Sequence, residues 1–101
     1  WKIGPHGIAA FCMDRVPDHN AWRPNGQWHA FHFVFNDAKW DGDKKISHAR
    51  ATVWWNGLKV HDDAEVKNAN GGIKVTRSPG GIKLQEHGQD VRYRNIWVME
   101  L

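Results

Sequence analysis

The sequence lacks the features of membrane-spanning, disulfide-stapled and helical proteins. Its single cysteine, Cys12, excludes an internal disulfide framework. No apolar run approaches the roughly 18 residues that a transmembrane helix needs. The sequence contains no run of five like charges, so nothing in it suggests a nucleic-acid-binding tail. No segment shows a sustained helical period. Strands are therefore expected to be the main elements.

The composition is that of one globular domain rich in tryptophan. The chain has 101 residues, of which 41% are hydrophobic and 25% charged, so it is not expected to be disordered. Its formal charge of +3 is only mildly basic. Seven tryptophans in so short a chain indicate either a thick aromatic core or a surface on which flat ligands stack.

Two stretches give the clearest strand signals. "HAFHFVF" alternates strictly, which places Phe31, Phe33 and Phe35 on one face, predicted to point into the core. In "RATVWWNGLKVHDD", the pair Asn56-Gly57 separates two alternating runs and predicts a tight hairpin, because a type I′ turn needs two positive φ angles.

Further strands are predicted at "GIKVT", "GIKLQEH" and "VRYRNIWVMEL", whereas the segment from 36 to 48 reads as a loop. Six or seven short strands without a helix favour an antiparallel β-sandwich or barrel. The predicted core consists of alternating apolar residues on these strands: Phe31, Phe33, Phe35, Val53, Leu84, Ile96 and Val98.

Three blocks of the sequence carry a family resemblance. They are "AWRPNGQWHAFHFVF", "ARATVWWNGLKVHDDAEV" and "GGIKLQEHGQDVRYRNIWVMEL", in this order. Together they resemble the C-terminal half of the 3-keto-disaccharide hydrolase domain, formerly a domain of unknown function, over roughly residues 20 to 101. The family's aspartate before the histidine of the last block is Glu86 here.

The resemblance implies an all-β fold, a partial concanavalin A-like jelly roll of two stacked antiparallel sheets. Residues 1–101 would form a single domain, the C-terminal half of a larger jelly roll. Because unpaired sheet edges need a cover, the missing N-terminal half or a protein partner is expected to complete the sheets. The resemblance also implies a periplasmic or extracellular location.

The activity that the resemblance implies is cleavage of a glycoside already oxidised to a ketone at C3. A base removes the C2 proton, the C1 substituent leaves, and water adds to the product. His87 and Glu86 are the candidate catalytic residues. The candidate substrate-binding residues, which would hold sugar hydroxyls or the C3 oxygen, are Gln85, Arg92, Arg94, Trp22 and Arg23.

Other interpretations stay open. The chain could be a carbohydrate-binding module, with the same aromatic face but no base, or a non-catalytic structural subunit of a larger assembly. His87 could simply cap a turn, and Arg92 and Arg94 could lie on a solvated face beside carboxylates. Trp28 is expected to be a buried ring that pins its loop, whereas Trp22 is as readily a sugar-stacking ring.

The histidine spacings do not predict a metal site, since His29 and His32 fall on opposite strand faces. "DGDKK" at 41–45 resembles the start of a calcium loop but lacks its later glycine and glutamate. No cofactor is therefore expected, although the sequence leaves the binding of a divalent cation open.

Overall fold

A computed structural model describes residues 3–4, 7–11, 15–67, 75–85 and 88–101. The described part is all-β, as predicted, and contains no helix, hence none long and apolar enough to cross a membrane. All strand pairs are antiparallel. The strands are β1 (Phe31–Asn36), β2 (Lys39–Asp41), β3 (Lys44–Ser47), β4 (Ala49–Trp55) and β5 (Leu58–Val66).

The main sheet has three strands in the order β1-β4-β5, so β4 is the central strand. Strand β4 is joined to β5 by the predicted hairpin, in which Asn56 and Gly57 have φ angles of 51° and 82°. This confirms that the Asn-Gly pair makes a turn of the kind that needs two positive φ angles. Asparagine and glycine adopt this conformation at low cost.

A second, two-stranded sheet pairs β2 with β3. The prediction of a loop from 36 to 48 was therefore wrong. Asp41 pairs with Lys44 across a two-residue turn in which Gly42 has a φ of 58°. The strands are three and four residues long, too short for their alternation to stand out among the charged residues around them.

Strand β5 departs from regular pairing at two points, between its pairs with Ala51 and Val53 and between those with Val53 and Trp54. Asp63, near the first irregularity, has a φ of 45°, and its N–H donates to Thr52 Oγ1 at 3.0 Å. Arg50 also contacts Asp63, since its Nε lies 3.0 Å from Asp63 Oδ1. Bulges of this kind re-aim side chains and twist a strand.

The core lies on one face of the main sheet. Ala51, Val53, Trp55 and Val60 form it, and partly buried residues of the preceding segment, such as Phe11, pack against it. Because side chains alternate between the faces of a strand, the odd-numbered residues of β4 are buried while Arg50 is exposed.

The phenylalanine stripe is not buried, which corrects a prediction. Phe33 lies opposite Val53 in the register and so shares its face of the sheet. Nevertheless, Phe31, Phe33 and Phe35 are 40%, 63% and 56% exposed, against 1% for Val53. The reason is that β1 is an edge strand, and no described element covers the outer part of this face.

The strands predicted near the end of the chain are also absent from the described residues. Neither 75–85 nor 88–101 contains a strand, and Leu84, Ile96 and Val98 are exposed. Alternation shows which residues could be buried, but a strand also needs a hydrogen-bonded neighbour, and no described strand pairs with these segments. Part of "GIKVT" and of "GIKLQEH" lies outside the described residues.

Candidate functional site

A loop from 20 to 30 precedes β1 and carries two tryptophans. The Trp22 N–H donates to Asn20 Oδ1 at 3.0 Å, a local turn typical of asparagine. The Gln27 N–H donates to the Pro24 carbonyl at 3.2 Å, and Gly26 has a φ of 86°. This tight turn folds the loop back on itself, so that Arg23 Nη1 donates to the Trp28 carbonyl at 3.4 Å.

Asn56 fastens this loop to the sheet. Its Oδ1 accepts from the Ala30 N–H at 2.9 Å, and its Nδ2 donates to the Ala21 carbonyl at 2.7 Å. The Asn56 N–H in turn donates to the Ala30 carbonyl at 2.8 Å. One turn residue therefore holds both ends of the loop.

His29 lies among aromatic rings at the end of the core. Its ring centroid is 4.9 Å from that of Trp22 and 5.9 Å from that of Trp55. Its Nδ1 accepts a hydrogen bond from Trp55 Nε1 at 2.9 Å, and Asn56 Nδ2 lies 3.1 Å from the same atom. The imidazole is thus fixed in both position and orientation.

Arg94 brings the end of the chain to Trp28 of the loop. Its guanidinium carbon lies 3.9 Å from the centroid of the Trp28 ring, a cation–π contact. Trp28 is 42% exposed, so it is not the buried loop pin that the sequence suggested. Exposed contacts of this type contribute about 0.5–1 kcal/mol, enough to bias the position of Arg94 beside the loop.

Arg23 and Arg94 contact Trp28, and Trp22 contacts His29, the residue that follows Trp28. We call these residues together the Trp28 cluster: Trp22, Arg23, Trp28, His29 and Arg94. It combines two cationic donors, an exposed indole and an imidazole. Indole faces stack on the apolar faces of sugar rings, and guanidinium groups donate to hydroxyl, carbonyl or developing negative oxygens. Arg94 already covers part of the Trp28 ring, so a ligand would meet the rest of the indole and the guanidinium edge.

The cluster contains no general base that is free to act. His29 Nδ1 already accepts a hydrogen bond. In the described part of the chain, no ion pair joins a carboxylate to Arg23 or Arg94. The arrangement can therefore bind and polarise an oxygen-rich ligand, while proton removal needs another residue.

Of the predicted substrate-binding residues, Arg23 and Arg94 contact Trp28, and Trp22 contacts His29. Arg92 does not join them: it is exposed and lies 3.9 Å from Asp90. The backbone carbonyl of Gln85 accepts a hydrogen bond from the Tyr93 hydroxyl.

The predicted catalytic residues Glu86 and His87 lie outside the described residues. Sequence reasoning missed His29 as a site residue and treated Asn56 only as a turn former. The sequence carried no signal for either role, because the contacts of Asn56 with Ala21 and His29 join residues that lie 35 and 27 positions apart in the chain.

Other parts of the fold offer less. On the opposite face of the sheet, Trp54 contacts His32 edge-on and Lys59 lies 5.7 Å from its centroid. A hollow of about 170 Å³ between Phe35, Lys45 and Val75 is mostly apolar. No group of three or more potential metal ligands occurs among the described residues, and Asp43 of the calcium-like stretch pairs with Arg77 at 3.3 Å.

Comparison with known families places the chain. Residues 2–99 match the family described as the 3-keto-alpha-glucoside-1,2-lyase-like domain. Because the match covers nearly the whole chain, the chain belongs to this family, as the three sequence blocks indicated. Neither the curated proteins nor the solved structures contain a significant match.

Proposed function

We propose that the chain binds a glycoside oxidised to a ketone at C3 and takes part in its cleavage by elimination at C1. Two findings support the proposal. The family to which it belongs is described by this lyase chemistry. In addition, Arg94 lies over the exposed Trp28 ring with Arg23 bonded to the same residue, the observation on this chain that carries the proposal.

The proposed reaction has two steps, an elimination and an addition of water. The ketone acidifies the C2 hydrogen, and a base takes that proton while the electron pair moves into an enolate. The enolate expels the C1 oxygen, which leaves protonated as the aglycone and yields a C1=C2 double bond conjugated with the C3 ketone. Water then adds across this bond, with hydroxyl on C1 and hydrogen on C2, so the net change is hydrolysis.

The residues divide these tasks in the proposal. Arg94 and Arg23 are cationic donors for the C3 oxygen as it gains negative charge, the role in which preorganised donors accelerate reactions most. Trp28 and Trp22 provide aromatic surface for the sugar ring. By family resemblance, His87 is the base and Glu86 orients it or replaces it, since an imidazole accepts a proton readily near neutral pH. Gln85 would hold a hydroxyl.

The test uses His87→Ala and Glu86→Gln in the longest natural form of the protein, with the methyl α-glycoside of 3-keto-glucose as substrate. The loss of a general base lowers rates by about 10²–10⁴-fold, so at least one variant should lose about a hundredfold in kcat. His32→Ala is the matched control, because His32 lies on the other face of the sheet from Phe33 and Val53. If neither variant is impaired, the catalytic assignment is wrong.

A carbohydrate-binding module is the second candidate, favoured by one observation. The Trp28 cluster has binding groups but no free base among its five members. Calorimetry with the same keto-glycoside separates the two functions, since a binding module would bind the sugar and release no aglycone.

We also propose, from the resemblance alone, that the protein works outside the cytoplasm. A structural role with a protein partner stays a prediction: it would apply if the unmutated protein neither cleaves nor binds the keto-sugar. Fractionation of cells that express the natural gene tests the location, and an intact protein confined to the cytoplasm would contradict it.

A further inference from the structure

We propose that His61, Arg15 and Asp18 form a proton-operated clasp. At neutral pH it holds the segment before the tryptophan loop, residues 20–30, on β5, and in acid it releases this segment while the main sheet stays folded. We call the segment, residues 7–11 and 15–18 of the described chain, the clasp segment. The clasp involves no member of the Trp28 cluster and acts whether or not that cluster binds a sugar.

Both ring nitrogens of the fully buried His61 bond to the clasp segment. Arg15 Nη1 donates to Nδ1 at 2.8 Å, and because a guanidinium cannot accept, Nδ1 must offer its lone pair. Nε2 therefore carries the hydrogen and donates it to the Ala9 carbonyl at 2.6 Å. The Phe11 ring stacks on the imidazole, with the centroids 4.0 Å apart. The neutral imidazole thus contacts both parts of the segment.

A second proton on His61 is incompatible with these contacts. It would occupy Nδ1, where Arg15 now donates, and would set an N–H and a positive charge against the guanidinium. On β4, the residue opposite His61 is the apolar Val53. Among the described residues, the charged groups that act on the ring are therefore Arg15, which opposes the proton, and Asp18, which favours it. Asp18 is itself paired with Arg15 at 2.8 Å.

Acid therefore favours the open clasp. Burial, the largest cause, and the charge of Arg15 lower the pKa of His61 from its ordinary 6.5, against the bond to Ala9 and the charge of Asp18. Once the segment leaves, the imidazole meets water and binds a proton at its ordinary pKa. The closed clasp is thus fully favoured above pH 6.5 and becomes progressively less stable as the pH falls below it.

The clasp segment is attached to the sheet more weakly than the strands are to one another. Among the described residues, one backbone–backbone hydrogen bond joins the segment to the sheet, from the Asp18 N–H to the Val60 carbonyl at 2.8 Å. Phe11 and Arg15 exchange two further bonds within the segment. Strand β4, by contrast, pairs with both β1 and β5. The segment can leave without breaking this ladder, and weakly attached units of this kind open first.

Opening of the clasp would also loosen one side of the tryptophan loop. Asp18 lies two residues before Asn20, whose Oδ1 accepts from the Trp22 N–H. Trp22 packs against the same core as the clasp segment does. The bond from Asn56 to the Ala21 carbonyl would remain as the other attachment. Acid would thus remove one of the two attachments of the loop and leave the second in place.

Hydrogen exchange of single amides, followed by NMR in low concentrations of urea, tests the clasp. The amides of Phe11, Arg15 and Asp18 report its opening because each donates a bond described above, and the amides of β4 report unfolding of the sheet. Exchange of the clasp amides should be faster and should depend less on urea, since that dependence scales with the surface exposed. Between pH 7.5 and 5.5, their protection, corrected for the intrinsic effect of pH, should fall by about five- to tenfold.

Two variants, each with a matched control, identify the group that takes up the proton. His61→Gln keeps an amide that can accept from Arg15 and donate to Ala9 but does not titrate, so the protection of the clasp should change by less than about twofold over this pH range. His32→Gln, at an exposed histidine, should keep the full effect.

Arg15→Gln should reduce the pH effect by at least about half, because its amide oxygen can accept a hydrogen bond from a protonated Nδ1. Arg77→Gln, which removes an arginine from the surface pair with Asp43, is its control and should keep the effect.

The same measurements can overturn the proposal. If the clasp amides and the β4 amides share one opening free energy and one urea dependence, the segment does not open on its own and the clasp does not exist. A full pH effect in His61→Gln would show that another group takes up the proton, and the proposal would again be wrong. Should His61→Gln fail to fold, exchange in the unmutated protein and in Arg15→Gln still decides.

Discussion

Arg15 Nη1 donates a hydrogen bond to Nδ1 of the buried His61 at 2.8 Å. Because a guanidinium cannot accept, Nδ1 carries no hydrogen, and Nε2 donates to the Ala9 carbonyl at 2.6 Å. The ring of Phe11 stacks on the imidazole with centroids 4.0 Å apart, and Asp18 pairs with the same arginine at 2.8 Å. A neutral histidine thus fastens the segment before the tryptophan loop to β5.

The free energy of unfolding should fall as the pH drops below 6.5. Burial is the main cause that lowers the pKa of His61 from its ordinary 6.5, and the positive charge of Arg15 adds to it, against the bond to Ala9 and the charge of Asp18. In acid, the unfolded chain therefore binds a proton that the folded chain refuses, so stability is lost towards low pH. The slope is at most about 1.4 kcal/mol per pH unit for one group.

Urea titrations between pH 7.5 and pH 5.5 measure this effect. His61→Gln should be less stable than the unmutated protein at pH 7.5 but should lose much of the pH dependence. His32→Gln, a substitution at an exposed histidine, should keep the full slope. Equal slopes in all three proteins would show that His61 does not cause the acid sensitivity.

Asn56 should contribute to stability through both its backbone and its side chain. Asn56→Ala forces a residue with a Cβ to keep a φ of 51° and also removes the bonds to Ala30 and Ala21. We expect it to cost about 3 kcal/mol, from two lost hydrogen bonds of about 1 kcal/mol each and the strained backbone.

Asn56→Gly separates the two contributions, because glycine accepts the positive φ without strain. It should cost about 1 kcal/mol less than Asn56→Ala. Thermal unfolding of the two variants provides the comparison, and identical losses would mean that the turn geometry contributes nothing beyond the side-chain bonds.

The exposed phenylalanines of β1 should contribute less to stability than their size and hydrophobicity suggest. Because Phe33 is 63% exposed, Phe33→Ala should cost less than about 1 kcal/mol, far below the 3–5 kcal/mol typical of a buried phenylalanine. Val53→Ala, directly opposite on β4, should cost about 2 kcal/mol despite removing a smaller group, since Val53 is buried. Chemical denaturation that ranks Phe33 above Val53 would show that another element covers the stripe.

The contrast between Phe33 and Val53 shows how far the sequence could predict the fold. Both residues lie in alternating strands, and local period and turn chemistry correctly predicted β1, β4 and the turn at Asn56. Whether a strand is central or at an edge depends on which strands pair over long distances, and alternation carries no such information. The same limit explains why the last segment, with Ile96, was expected to pair and be buried.

The site was predictable only in part for a related reason. Family resemblance pointed to Trp22, Arg23 and Arg94, and the structure places Arg23 and Arg94 against Trp28 and Trp22 against His29. Asn56 and His29, which fasten the tryptophan loop to the sheet, act through hydrogen bonds between a turn and a loop that is distant in sequence. An Asn-Gly pair and a lone histidine have more common explanations in a sequence, so their roles become visible only in three dimensions.

Arg94 should be required for sugar cleavage, whereas Arg92, two residues before it, should not. Arg94 lies over Trp28 at 3.9 Å, while Arg92 is 80% exposed beside Asp90. We expect Arg94→Ala to lower kcat/KM for the keto-glycoside by about a hundredfold, the loss typical of one donor to a developing oxyanion. Its unfolding free energy should change by less than about 1 kcal/mol, because an exposed cation–π contact is weak. Arg92→Ala, measured in parallel, removes an equal charge from the same segment but leaves the contact between Arg94 and Trp28 in place. It should therefore keep kcat/KM within about twofold. If the two variants lose the same activity, the segment contributes only general positive charge, and the stacking of Arg94 on Trp28 has no part in the reaction.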